Sequence, residues 1–234
     1  MSSNSEKTFG SRLQKAAQLA NLLPTFSGYA EVVPECSIPN YQTHIQSIQL
    51  NNDAVASAAS EFSLSVEQRL QLFNKNSNSL SQLLSPISSY IKAKFGKTSK
   101  QAKDIVTLIN KIRGEKTTQL KKSAEGEFVS QSQRSFGSRT KHFSDIIAYL
   151  ENYAAEYAPV NHEIRVASLK TLQTNLTNAN NLVTTTYGQL KPLKDLRQVQ
   201  YNDLSQRSTR IKNSIKSQFG PQSTEYKLIK GFKI

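Results

Sequence analysis

The feature that most constrains this chain is an apolar spacing that alternates between three and four residues. From Tyr41 to Phe73 it sets Ile45, Ile48, Asn52, Val55, Ala59, Phe62, Val66, Arg69 and Phe73 along one line. Steps of three and four bring side chains to one face of a 3.6-residue turn, so the line is the seam of a long amphipathic helix. The pattern returns 121 residues later as Val166, Leu169, Gln173, Leu176, Asn180, Val183, Tyr187 and Leu190. It sets the polar Asn52 against Gln173. A buried amide at one seam position costs stability but fixes register; the alternative is that this part of the seam faces solvent.

Matching signals flank both seams. Phe9-Gly10-Ser11-Arg12 precedes the first, and Phe136-Gly137-Ser138-Arg139 the second, at an offset of 127. Each reads as a helix start in which Ser caps free N–H groups and Phe packs back as a staple. Leu13, Ala16, Ala17, Leu19, Ala20 and Leu23 then form one apolar face. Phe143, Ile146, Ile147, Tyr149, Leu150 and Tyr153 form the other. The offset falls from 127 to 121 across the connector that follows. This implies six extra residues in the first copy, roughly Glu31 to Cys36, and marks them as a candidate contact loop.

A third helix is expected from about Ser79 to Lys94, kinked or restarted at Pro86. Its counterpart is expected from about Gln200 to Gln218. Phe95-Gly96 and Phe219-Gly220 read as helix stops, and Ser99 and Ser223 are placed to cap a fourth helix. Only 9 Gly and 7 Pro accompany these patterns, which fits long helices better than a many-turned β fold. The expected fold is therefore all-α: tandem duplicated four-helix up-down bundles with long, heptad-like central helices. The first repeat spans 1–113 and the second 136–234, joined by a polar linker at 114–135 whose only apolar pair is Phe128 and Val129. One continuous eight-helix array is the alternative.

Several motifs carry a resemblance: the two Phe-Gly-Ser-Arg segments, Leu84-Ser85-Pro86-Ile87, Lys94-Phe95-Gly96-Lys97-Thr98-Ser99-Lys100, and the stretch from Phe219 to Gly231. On these the chain resembles a family of uncharacterised bacterial two-repeat all-helical proteins, over nearly its whole length. The resemblance implies a bacterial, cytoplasmic setting and nothing about sites. The polar N-terminus, Met1 to Thr8, lacks the apolar core of a secretory signal, which points the same way.

No motif names a reaction. His44, His142 and His162 make no His-Glu-x-x-His pattern, and the lone Cys36 has no metal-ligand partner at the right spacing. The carboxylates are scattered, and no glycine-rich phosphate loop is evident. The expectation is no enzyme, no cofactor, no metal and no integral membrane insertion.

The net charge of +13 favours anionic partners without choosing among them. It divides as +5 over residues 1–113, +1 over 114–135 and +7 over 136–234, so no basic tail accounts for it. Candidate basic faces are Lys92, Lys94, Lys97, Lys100 and Lys103 in the first copy, and Arg207, Arg210, Lys212 and Lys216 in the second. The leading expectation is a structural or scaffolding protein that assembles with itself, as a ring or filament, or with another protein. The alternative is sequence-independent binding of nucleic acid or an anionic surface.

Overall fold

The computed structural model describes residues 8–114 and 135–234, and the fold is all-α, with no strand among those residues. The helices follow as α1 (Phe9–Leu22), α2 (Ile38–Leu70), α3 (Leu80–Phe95), α4 (Lys100–Arg113), α5 (Phe136–Asn152), α6 (Val166–Phe219) and α7 (Thr224–Ile229). The expected linker, with Phe128 and Val129, lies outside the described residues except at its ends. There Gly114 closes α4 with φ 70°, and Ser135 caps α5.

The seam of α2 forms with its buried line shifted. Tyr41, Ile48, Val55 and Phe73 are buried, but Asn51, Ala58 and Ser65 are buried in preference to Asn52, Ala59 and Val66. At two of these places the side chain bonds to the facing helix. Asn51 donates to the Leu193 carbonyl at 3.2 Å, and the Ser65 and Thr186 hydroxyls meet at 2.9 Å. On α6, Leu169, Leu176, Val183 and Leu190 are buried as read. Tyr187 is not on the seam; it is exposed and packs its ring 5.7 Å from Phe62.

Matching features lie 128 residues apart, not 121. Tyr29 donates its hydroxyl to the Cys36 carbonyl at 3.0 Å, as Tyr157 does to Ile164 at 2.7 Å. Short 3-10 turns at Pro34–Cys36 and His162–Ile164 then lead into α2 and α6. Between the starts of α1 and α5 and those of α2 and α6 the offset changes only from 127 to 128, so Glu31 to Cys36 is not a six-residue insertion. Under this register Asn52 matches Asn180 rather than Gln173, which is half-buried. Asn52 donates Nδ2 to the Tyr201 hydroxyl at 2.9 Å, and Asn180 to the Thr140 hydroxyl at 3.2 Å. In each the Oδ1 is buried without a partner.

Beyond Phe73 and Tyr201 the spacing drops to 124, as Phe95 and Phe219 show. The first half therefore has four extra residues. They are taken up by a π-helical turn, Gln71–Lys75, and the turn at 76–79 that separates α2 from α3. The second half lacks them, so α6 runs unbroken through 54 residues and no separate helix begins near Gln200. Neither Pro86 nor Pro192 interrupts its helix. Gly96 and Gly220 close α3 and α6 at φ 90° and 92°, a backbone region open to glycine. Ser99 and Ser223 cap α4 and α7 as read.

The chain forms two compact units, and neither coincides with 1–113 or 136–234. The first unit takes the chain up to Ser60 together with Gly188–Ile234. Its core sets Leu19, Leu23, Tyr41 and Ile48 with Tyr201, Leu204, Ile211 and Ile229. The second unit is Glu61–Tyr187, where Phe73, Leu84, Ile87 and Ile105 join Phe143, Ile146, Leu169 and Leu176. Each unit thus draws on both halves of the sequence. The reason is length: α1, with 14 residues, can cover less than half of α2, with 33.

Candidate functional site

The two Phe-Gly-Ser-Arg segments begin their helices three residues earlier than expected, ahead of Phe rather than at Ser. Thr8 Oγ1 accepts from the Ser11 backbone N–H and Ser135 Oγ from that of Ser138, so Thr8 and Ser135 are the caps. Phe9, Gly10 and Ser11, like Phe136, Gly137 and Ser138, lie within the first turn. Phe and Arg are three residues apart there and share a ridge.

That ridge builds the same stack in each unit. In the first, Phe9 lies 4.5 Å from Tyr201, Arg197 sits 4.6 Å over Phe9, and Arg12 sits 5.1 Å over Tyr201. In the second, Phe136 lies 4.8 Å from Phe73, Arg69 sits 4.1 Å over Phe136, and Arg139 sits 5.1 Å over Phe73. Arg12 donates to the Tyr201 carbonyl at 2.8 Å and Arg139 to that of Phe73 at 3.3 Å. A guanidinium over a ring contributes about 0.5–2 kcal/mol. Burial works against the charge of Arg69 and Arg139 and lowers both pKa values. The sequence signal for the stack is Arg-x-x-x-aromatic, which occurs as Arg69–Phe73 and Arg197–Tyr201, 128 residues apart. Seam periodicity had reduced Arg69 to a line position and passed over Arg197.

The two basic faces fare differently. Lys94, Lys97 and Lys103 are exposed around the end of α3 and the start of α4, beside half-buried Lys92. Lys100 pairs with Asp104 at 2.6 Å. Phe95 and Tyr153, with ring centroids 5.2 Å apart, and the part-exposed Tyr149 lie in this unit, 6.5 Å separating the two tyrosines. The second set does not form one face. Arg207 is held by Asp203 at 2.8 Å and by the Glu35 carbonyl at 3.2 Å. Lys212 donates to the Phe232 carbonyl at 3.0 Å, and desolvation lowers its pKa. Lys216 sits 5.8 Å over the Tyr226 ring, and Arg210 is exposed.

The titratable groups singled out in the sequence are dispersed. Cys36 is fully buried, with its thiol 3.9 Å from the Arg207 carbonyl, and burial raises its pKa. His44 Nε2 lies 3.2 Å from the Gln200 carbonyl and 3.5 Å from Asp203. Desolvation lowers its pKa, with Arg207 adding to the effect. His142 lies 3.6 Å from Asp145, and His162 lines a cleft with Glu163. Among the described residues no three His, Cys, Asp or Glu side chains are grouped to hold a metal ion. Among them, too, no helix is long and apolar enough to cross a membrane. No family model, curated protein or solved structure matches the chain.

Proposed function

We propose that this chain is a non-enzymatic structural protein whose helical units mediate assembly, with further copies of itself or with another protein. The observation that carries the reading is a repeated apolar exposure. Val32 and Val160 hold the same place in the two connectors, 128 residues apart, and are 63% and 92% exposed. The helices add Leu50, Leu196 and Val199 on the first unit, and Leu64, Leu182 and Tyr187 on the second, all exposed. Burying apolar surface of this kind is the main driving force for association. The recurrence of the aromatic stack, the tyrosine–connector bond and the paired asparagines supports an origin by duplication. A bacterial, cytoplasmic setting belongs to the same proposal.

The test is the mass of the full chain by light scattering after size exclusion, over a range of concentration and salt. The expected result is a mass above the 26.1 kDa of one chain that rises with concentration. The paired variant Val32→Lys with Val160→Lys should lower it. A mass near that of one chain throughout overturns self-assembly.

A second reading, binding to an anionic polymer or surface, is favoured by the exposed Lys94, Lys97 and Lys103 in the unit that carries Tyr149. It requires affinity that falls steeply with salt and weakens in Lys97→Glu. Salt-independent binding removes it.

A further inference from the structure

We propose that the cleft beside the inserted turn of the second unit binds a small oxyanion of the phosphate type. The cleft holds about 480 Å³ and is lined by Asn74, Ser81, Leu84, Ile112, Arg113 and Arg139, with no carboxylate among them. It lies next to the π-helical turn that only the first half of the sequence contains.

The polar wall of the cleft is wired in one direction. Arg139 Nη2 donates to Asn74 Oδ1 at 2.9 Å and to Ser81 Oγ at 3.0 Å. Ser81 Oγ in turn donates its own proton to Asn74 Oδ1 at 3.1 Å. Asn74 Oδ1 therefore accepts twice, and the Ser81 proton is committed. The polar groups left without a protein partner among the described residues are chiefly donors: Asn74 Nδ2, Arg139 Nη1 and the guanidinium of exposed Arg113. A wall whose remaining groups are donors, two of them on cations, selects a ligand that only accepts hydrogen bonds and carries negative charge. Guanidinium groups match the oxygen spacing of phosphate. Half-buried Arg139 has no carboxylate partner among the described residues; it is met by neutral acceptors and the Phe73 ring, so a bound anion would supply the counter-charge.

The first unit offers a comparison. Ser205 matches Ser81 at the 124-residue spacing, and its hydroxyl donates to the Ile234 carbonyl at 2.8 Å. There an oxygen acceptor from the chain itself meets the matching serine. Asn202 matches Asn74 at the 128-residue spacing, but its Oδ1 accepts from Gln198 Nε2 at 3.1 Å. Arg12, the match of Arg139, donates to the Tyr201 carbonyl as Arg139 does to that of Phe73, with no bond to Asn202 or Ser205 among the described residues. The linked Asn74, Ser81 and Arg139 thus belong to the second unit.

Calorimetric titration of the full chain with inorganic phosphate, at constant ionic strength, tests the site. Two variants leave the core untouched. Asn74→Asp keeps both bonds accepted from Arg139 and Ser81, removes the free donor and adds a repelling charge. Arg113→Gln removes one exposed cation. The expected result is saturable one-site binding to the wild-type chain, about tenfold weaker in Arg113→Gln and lost in Asn74→Asp. Melting temperatures without phosphate should stay at the wild-type value or above. A parallel arm uses O-phosphoserine: tighter binding than inorganic phosphate assigns the site to a phosphate monoester, and weaker binding assigns it to the free ion. No saturable heat at tens of millimolar phosphate, or equal binding by all three proteins, overturns the proposal. Neither variant alters Val32, Val160 or the exposed helix leucines, so the mass measurement stands or fails separately.

Discussion

Replacing Tyr201 by Phe gives the first unit the residue that the second unit has at the matching position, Phe73. Both rings are fully buried, so shape is kept and only the hydroxyl is lost. That hydroxyl accepts from Asn52 Nδ2 at 2.9 Å, and Asn52 Oδ1 is already buried without a partner. The variant therefore leaves both ends of the Asn52 amide unmatched. A lost hydrogen bond with a stranded polar group costs about 1–3 kcal/mol. Asn52→Leu alone strands the tyrosine hydroxyl, but it removes the orphaned carbonyl and installs a better helix former, so about 1 kcal/mol or less is expected. The double variant removes donor and acceptor together and should sit within about 1 kcal/mol of wild type. Urea unfolding followed by circular dichroism measures all three, with an unchanged denaturant slope as the control. Coupling of about 1–2 kcal/mol between the sites is expected. Losses that simply add would refute the account of Asn52 and Tyr201 as a mutually dependent pair.

Ser99→Ala removes the hydroxyl that accepts from the Ala102 N–H at 3.1 Å, and should cost about 1 kcal/mol by the same assay. Gly96→Ala and Gly220→Ala should each destabilise by about 1 kcal/mol or more, through backbone strain at φ 90° and 92°. Nothing lies within 4 Å of an added Cβ at either site, so steric repair elsewhere should not rescue them. The pKa of His44 is lowered in the folded chain, by burial first and Arg207 second, against opposing pulls from Asp203 and the Gln200 carbonyl. The unfolded chain then takes up the proton first, so stability should decline as pH falls below about 6.5. His44→Gln should flatten that decline in melting temperatures between about pH 7 and 5.

Short-range signals carried much of the fold. Gly96, Gly220, Ser99 and Ser223 act on their own neighbours, so their roles could be read without knowing the tertiary structure. The long seams were legible as helices but not in register. An offset of 121 differs from 128 by one heptad, and a heptad pattern slid by seven residues buries the same face. That slip created the false six-residue insertion and the pairing of Asn52 with Gln173. The break at 76–79 in one half and the straight α6 in the other follow from four residues that periodicity does not see. A seam also states which face is buried and not what covers it, so the mixing of the two halves within each unit was hidden. Arg207 and Lys212 looked like surface charge because their partners, Asp203 apart, are backbone carbonyls of Glu35 and Phe232. The cleft at Asn74 escaped notice because Arg139 is 65 residues away along the chain.

The sharing of each unit between the halves bears on how such a chain could have arisen and how it can be taken apart. Under the proposed duplication a single ancestral half would contain no complete unit, yet two copies that exchanged their C-terminal helices would build both. Fusion would replace that bimolecular encounter with a tethered one, at an effective concentration set by the intervening segment and on the order of millimolar. Folding would then be freed from dependence on protein concentration. Cleaving the backbone within residues 115–134 should accordingly yield two fragments that stay together under native conditions and fold poorly apart, the opposite of what two beads on a string would do.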